Sequence, residues 1–303
     1  CTVTHIAARK SRQLVRQLHK ANAALRIAVT GCYATISPAQ IGGLEGVALV
    51  LPNADKEQMV ERILALSLAG DSVATGGFLS SYGPHPGRTR ALVKIQDGCD
   101  NRCTYCIVAV ARGPQRSRLP ADILREVRAL LAEGYREIVL TGVNIGAYGQ
   151  DRHGAPPLPA EAGWSLARLA RLLLEETDIE RLRLSSIEPW DVTPELLALW
   201  QNRRVCRHLH IPLQSGCGAT LRRMARRYTP DEFAALVDDL RARIPEVSLT
   251  TDVIVGFPGE SEAEFAESAA FIERMRFSRL HVFRYSPRPD TPAATMPDQI
   301  PPP

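Results

Sequence analysis

Beyond residue 90 the chain alternates short apolar runs with longer stretches in which apolar residues recur every three or four positions. Runs of β type fall at residues 91–96, 136–141, 181–186, 207–212, 248–255 and 279–284. Between them, segment 119–133 places Ile123, Val127, Leu130 and Leu131 on one helical face, and Gly134 stops it. Thr193-Pro194-Glu195 sets an N-cap before a proline at the first helical position. Thr229-Pro230-Asp231-Glu232 repeats that arrangement and adds a capping-box Glu; Ser261-Glu262-Ala263-Glu264 opens another helix, predicted to run to about Met275. Six strands joined by crossovers of a dozen or more residues predict parallel pairing with right-handed connections. Six units fall short of an eight-fold barrel, so the expected architecture is α/β with an open, partial (β/α)6 barrel over residues 88–303.

The first 87 residues pattern differently. Residues 26–29 and 47–51 read as strands, and residues 4–21 and 53–69 as helices, the second capped by Asn53. This predicts a small Rossmann- or flavodoxin-like α/β domain over residues 1–87 whose first strand would lie upstream of Cys1. Residues 70–90, rich in Gly and Ser, read as a linker. The chain opens on Cys1 and closes on three prolines, and both ends read as cut.

Composition narrows the field. The length of 303 residues suits two domains, and 45% hydrophobic with 23% charged residues is ordinary for a globular chain. Apolar runs such as 47–51 and 253–255 are too short to cross a bilayer, and no signal segment opens the chain, so no membrane partner and a cytoplasmic location are expected. A net charge of +4 gives a mild bias towards an anionic partner. Seven cysteines without a secretory signal argue against a disulfide framework and favour metal or cluster ligation where they group. No P-loop, Ser-His-Asp set or HExxH is present.

The cysteines group at Gly98-Cys99-Asp100-Asn101-Arg102-Cys103-Thr104-Tyr105-Cys106. Three thiols within eight residues can wrap one side of a cubic cluster, leaving one of four irons without a protein ligand. A zinc site is the competing reading; such sites usually bring a second C-x2-C pair, and none is present. In a parallel α/β fold the carboxyl ends of all strands share one face, where active sites assemble. The Cys loop follows the first barrel strand. Thr141-Gly142-Val143-Asn144, Ser185-Ser186-Ile187-Glu188, Pro212-Leu213-Gln214-Ser215-Gly216, Gly256-Phe257-Pro258-Gly259-Glu260 and Tyr285-Ser286-Pro287 follow the other five.

The cysteine spacing resembles that of the radical-SAM superfamily. With Cys1-Thr2-Val3-Thr4 and Thr30-Gly31-Cys32-Tyr33 added, the chain is similar to the tRNA methylthiotransferases. The resemblance runs from Cys1 to about Gln299, and it implies the following expectations. Cys99, Cys103 and Cys106 would hold a [4Fe–4S] cluster whose open iron binds S-adenosylmethionine (SAM), which on reduction gives a 5′-deoxyadenosyl radical. Thr141, Gly142 and Asn144 would face the methionine part of that cofactor. Ser186, Glu188 and Gly256 would flank its ribose and adenine, and Gln214 would join the same cofactor site. Cys1 and Cys32 would hold a second [4Fe–4S] cluster, with a third cysteine upstream of residue 1. The family's small C-terminal RNA-binding β-domain would be missing.

The phrases at 111–118, 208–216 and 252–260 look most like the branch that puts a methylthio group on position 2 of threonylcarbamoyl-adenosine beside the tRNA anticodon. Branches acting on isopentenyl-adenosine, or on a ribosomal-protein aspartate, share the scaffold. A non-catalytic iron–sulfur or zinc module is the reading of another class. The partners implied are the tRNA anticodon stem-loop and an electron donor such as flavodoxin or ferredoxin, with the enzyme a monomer. Arg222, Arg223, Arg226 and Arg227 fall at i, i+1, i+4 and i+5, a basic helical stripe that reads as a solvated face or as a phosphate contact. Arg112, Arg116 and Arg118 follow the Cys loop and are candidates to face substrate. His208 and His210 read as packing residues, and Cys206 and Cys217 as structural thiols.

Overall fold

The structure is a computed structural model that describes residues 2–68, 89–151 and 163–301. The chain folds as two compact units. The first comprises Cys1–Tyr82, Tyr105–Gly113 and Ser286–Ala294; the second comprises Gly83–Thr104, Pro114–Tyr285 and Thr295–Pro303. The expected boundary at 87/88 and most of the expected linker lie outside the described residues.

In the first unit, α1 (His5–Ala21) starts where the Thr4 side chain accepts from the Ala7 N–H at 3.2 Å. Strands β1 (Ile27–Thr30) and β2 (Val47–Leu51) pair in parallel. Between them lie two short helices, α2 (Cys32–Ile36) and α3 (Pro38–Gly42). Ala8, Val15, Ile27, Tyr33 and Ile41 form a small buried core. The expected Asn53-capped helix is different in form. Residues Asn53–Gln58 make a 3-10 segment that precedes α4 (Met59–Leu68), and the Asn53 side-chain amide is buried without a partner. Asn53 is held by its backbone instead, its N–H donating to Thr35 Oγ1 at 2.8 Å.

The second unit carries β3 (Arg90–Lys94), β4 (Gln96–Asp97), β5 (Arg116–Ser117), β6 (Glu137–Thr141), β7 (Arg181–Leu184), β8 (His208–His210), β9 (Ser248–Val255) and β10 (Arg279–Arg284). Strands β3, β6 and β7 form one parallel sheet, and β8, β9 and β10 another. Parallel bridges Leu182↔Val205 and Ser186↔His210 carry the pairing from β7 to β8, so six parallel strands follow chain order in a partial barrel. The helices around it are α6 (Pro120–Ala132), α7 (Leu166–Glu176), α8 (Pro194–Leu197), α9 (Gly218–Arg223), α10 (Pro230–Arg243) and α11 (Glu262–Met275), while α5 (Val108–Arg112) belongs to the first unit.

Alternation explains the layering. Val93, Ile138, Leu140, Leu182, Leu184, Leu209 and Leu249 join one core with Ile123, Val127, Leu169, Leu173, Phe233, Leu240 and Phe271 of the helices. Their strand neighbours, Glu137, Arg181, Arg183, His208, His210, Thr250 and Asp252, are polar. Glu137 accepts from Arg183 Nε at 2.6 Å and Arg181 Nε at 3.2 Å, with Arg90 Nε at 2.9 Å. Burial pushes the Glu137 carboxyl up, but these three guanidiniums outweigh it and hold the carboxyl below the ordinary range.

Candidate functional site

The Cys loop begins where β3 ends. Gln96 and Asp97 turn aside from the barrel and pair antiparallel with Ser117 and Arg116, so the excursion from 98 to 115 is closed at its base. Gln96 is fully buried and its amide is used at both ends. Its Nε2 donates to the carbonyls of Asp97 (3.1 Å) and Gly98 (2.8 Å). Its Oε1 accepts from the backbone N–H of Val143 (3.0 Å) and Asn144 (2.9 Å). One side chain thus straps the start of the Cys loop to the turn after β6. Gly142 lies under this strap: a Cβ there would meet Gln96 O at 2.9 Å and Gln96 Oε1 at 3.0 Å. The loop is hooked again at Thr104, whose N–H and Oγ1 donate to the carbonyls of Met224 (3.1 Å) and Arg223 (2.8 Å).

Cys99 and Cys103 act on one another electrostatically, and Glu188 and Asp100 act on Cys99. Burial, foremost, pushes the Cys99 thiol up; the N–H of Asn101, 3.4 Å from its Sγ, works against that. Arg226 stands beside Cys103 with Nη1 3.3 Å from its Sγ, and it ion-pairs with Glu188 through Nη2. The guanidinium is stacked between Trp190 and Tyr228, 4.9 and 5.2 Å from the ring centroids, and its side chain is 1% exposed. Sequence spacing alone puts Arg226 in a helical basic stripe, and the structure corrects this. Helix α9 ends at Arg223 and Ala225 has φ 55°, so the chain turns and points Arg226 inward while Arg222 and Arg227 stay exposed. Arg223 is engaged by Glu264.

Thr141 closes β6, and Asn144 is buried with an Oδ1 that has no donor. Ser186 is exposed at its bridge to His210. Gln214 lies in the left-handed region (φ 66°); its N–H donates to Asp252 O and its carbonyl accepts from Ile254 N–H, both at 2.8 Å. Its backbone is therefore spent on β9, and only its side chain remains for a ligand. Gly256, at φ 72°, makes a turn any other residue would strain, and its N–H donates to Glu260 Oε2 at 2.5 Å. Glu260 is thus a turn-closing residue.

In the first unit Cys32 opens α2 after Gly31 (φ 99°), half-buried, and Cys106 lies in the segment Tyr105–Gly113. Cys1 lies outside the described residues. None of Cys32, Cys99, Cys103, Cys106, Cys206 or Cys217 is in a disulfide. Arg118 is tied to Lys94 O (2.7 Å) and Glu126 (2.6 Å), which removes it as a free cation for substrate. His210 donates or accepts at Thr250 Oγ1 (2.9 Å) and lies 3.3 Å from Asp252, which also faces His281 at 3.1 Å. Gln96 and the inward turn of Arg226 carry no motif in the sequence; alternation of Ala91, Val93 and Ile95 puts Gln96 on the polar side of its strand, so no local signal announces its burial.

The donor set fits an iron–sulfur cluster: unbridged thiols, a buried guanidinium beside one of them, and a buried amide oxygen at Asn144 that a cofactor amino group would satisfy. Residues 93–272 match the Radical SAM superfamily. The chain is 41% identical over 310 residues to the threonylcarbamoyladenosine tRNA methylthiotransferase MtaB of Bacillus subtilis, covering 99% of this chain and 67% of that protein. It is 44% identical over 218 residues to a tRNA-2-methylthio-N(6)-dimethylallyladenosine synthase of Mycobacterium marinum, covering 70% of this chain and 41% of that one. Among solved structures, the radical S-adenosylmethionine methyltransferase TsrM from Kitasatospora setae superposes with a TM-score of 0.68 at 16% identity, over 95% of this chain and 60% of its own. That likeness concerns the fold. The match to the superfamily and the similarity along the whole chain place it: this chain belongs to the radical-SAM methylthiotransferases, in the MtaB branch.

Proposed function

We propose that this chain carries the catalytic core that puts a methylthio group on position 2 of threonylcarbamoyl-adenosine beside the anticodon of tRNA. The observation that carries this reading is similarity to an MtaB protein over 99% of the chain, where the dimethylallyladenosine synthase matches over 70%. A [4Fe–4S] cluster and SAM are the cofactors of this family. Bound together, they supply a carbon-centred radical able to activate an unreactive C–H bond.

The chain's own residues prepare for that chemistry. Cys99, Cys103 and Cys106 are the proposed cluster ligands. Thr141, Gly142 and Asn144 form the turn that Gln96 holds against the start of the Cys loop, which fixes a cofactor-binding segment to a cluster-binding one. Glu188 is available to a ribose hydroxyl while Arg226 holds its carboxylate in place. Ser186, Gln214 and Gly256 end neighbouring strands on the same side of the sheet and complete the proposed cofactor site. Cys1 and Cys32, with an upstream cysteine, are proposed to bind a second cluster. The target base leaves its stack to reach such a site.

A one-electron donor such as flavodoxin or ferredoxin, monomeric action and a cytoplasmic location go with a tRNA substrate. No helix among the described residues is long and apolar enough to cross a membrane. Mass spectrometry of tRNA nucleosides from a deletion strain tests the reading: 2-methylthio-threonylcarbamoyl-adenosine should vanish and its unmethylthiolated parent should accumulate. Loss of the isopentenyl derivative instead would move the chain to the other branch. Anaerobically reconstituted protein given dithionite and SAM should release 5′-deoxyadenosine, and Cys103→Ala should abolish it.

A further inference from the structure

Three adjacent strands of the second unit bring two imidazoles and a carboxylate to one spot. His210 on β8 stands opposite Thr250 on β9, and Asp252 on β9 stands opposite His281 on β10. Residues two apart on a strand share a face, so all four lie on the polar side of this sheet, away from Leu209 and Leu249 in the core. His210 Nε2 is 3.3 Å from Asp252 Oδ2, and His281 Nδ1 is 3.1 Å from Asp252 Oδ1. One ligand atom from each of the three lies within 4.8 Å of the other two. Ligands bonded at about 2.0–2.2 Å to a tetrahedral ion stand about 3.3–3.6 Å apart, so both nitrogen–oxygen separations are already near that spacing.

The surroundings orient these groups. His210 Nδ1 meets Thr250 Oγ1 at 2.9 Å, and that hydroxyl lies 3.3 Å from His208 Nε2 and 3.5 Å from the Leu209 carbonyl. A hydrogen bond on one ring nitrogen sets the tautomer and aims the other, which is how metal-binding imidazoles are held. When the Thr250 hydroxyl donates to the Leu209 carbonyl, His210 Nδ1–H donates to the hydroxyl, and Nε2 turns a lone pair on the Asp252 carboxylate. Two acceptors so placed repel unless a cation joins them. Among the described residues no Lys or Arg pairs with Asp252; its ion-pair partners are the two imidazoles. We propose that His210, Asp252 and His281 bind a divalent transition-metal ion of the zinc or ferrous kind. Two imidazoles and one carboxylate suit those ions, whereas magnesium and calcium take oxygen ligands. Three protein ligands leave a position open, the pattern of reactive rather than structural zinc, and the exposure of His281 puts that position within reach of solvent. His210 is bridged to Ser186, so the ion lies one strand away from a residue proposed for the cofactor. The site uses no cysteine and depends neither on a cluster nor on the reading of the substrate.

The test uses full-length, anaerobically reconstituted protein, so that cluster-binding thiols are occupied. Zinc chloride, ferrous sulfate and magnesium chloride are each equilibrated with it by dialysis, and bound metal is counted by elemental analysis. Wild type should take up about one zinc per chain beyond its clusters, bind ferrous ion more weakly and hold no magnesium, with cluster iron unchanged in the zinc samples. His281→Ala and Asp252→Asn should abolish the zinc uptake, and Thr250→Val should weaken it about tenfold. His281 is exposed, so His281→Ala should melt with wild type in the absence of zinc, and zinc should raise the melting temperature of wild type alone. Cys206, two residues before β8, offers a thiol near the site, and Cys206→Ser should bind zinc as wild type does. Equal zinc uptake by wild type, His281→Ala and Asp252→Asn overturns the assignment. Uptake lost with Cys206→Ser but kept by His281→Ala also overturns it and gives the ion to the thiol. A wild type that takes up no zinc or ferrous ion reduces the three groups to two imidazoles hydrogen-bonded to Asp252, and the site falls.

Discussion

Arg226 and Glu188 offer a measurement that connects the barrel's stability to its proposed chemistry. The Arg226 side chain is 1% exposed and that of Glu188 20%. Removing one partner of a buried pair strands the other, at about 3–5 kcal/mol. Glu188 keeps some water, so Arg226→Met should cost about 2–4 kcal/mol by the same reasoning. Glu188→Gln leaves a guanidinium stacked on Trp190 and Tyr228 without its carboxylate, at a similar cost of about 2–4 kcal/mol. The double variant strands no charge. Tyr228 still donates to the Leu213 carbonyl at 2.5 Å, so its hydroxyl stays satisfied. The double should therefore cost about 1–2 kcal/mol, giving a coupling of about 4–5 kcal/mol. The assay is urea unfolding of metal-free protein followed by tryptophan fluorescence, which reports on the second unit because Trp164, Trp190 and Trp200 all lie there. Additivity of the two single costs to within about 0.5 kcal/mol would refute the buried-pair account. Arg226→Met should also weaken SAM binding, through a Glu188 carboxylate no longer held.

Three further outcomes are expected. Gly142→Ala should raise the Kd for SAM several-fold by equilibrium dialysis, because its Cβ meets Gln96 O at 2.9 Å and displaces the strap; an unchanged Kd would place the cofactor elsewhere. Gln96→Leu removes the bonds to the Val143 and Asn144 N–H groups and to the Asp97 and Gly98 carbonyls, so it should destabilise the second unit by about 2–4 kcal/mol in urea and lower iron retention after desalting. Asp191 gives a pH dependence: burial, then Glu188, push its carboxyl from 3.8 up to about 6, against Arg227. A carboxyl harder to ionise in the fold than in the unfolded chain makes folding less favourable as pH rises from about 4 to about 6, so Asp191→Asn should stabilise by about 1–2 kcal/mol at pH 7, after discounting for partial exposure, and by nothing at pH 4.

Local signals in the sequence are enough to place most barrel elements. Strands at 248–255 and 279–284 have the observed bounds because alternation and flanking turns mark both ends. The capping boxes at Thr229/Glu232 and Ser261/Glu264 form as their spacing requires, and α11 ends at Met275. What stays hidden depends on distance along the chain. Arg226 reads as helical until α9 ends at Arg223 and Ala225 takes a positive φ. Gln96 bridges residues 47 and 48 positions away. The grouping of Tyr105–Gly113 and Ser286–Ala294 with the first unit brings Arg288 to Thr2 across 286 positions, which no local pattern encodes. Cysteine spacing marks the loop proposed to hold the cluster, because ligand geometry is itself local.

The antiparallel pair of Gln96–Asp97 with Arg116–Ser117 has a consequence for how the enzyme matures. A loop pinned at its base has already given up its closure entropy when the chain folds. Further bonds inside it, from Gln115 N–H to Asp100 and from Thr104 to the end of α9, need no iron to form. The proposed cluster would then enter a loop whose base is already set by protein hydrogen bonds, unlike zinc fingers, which fold only as metal binds.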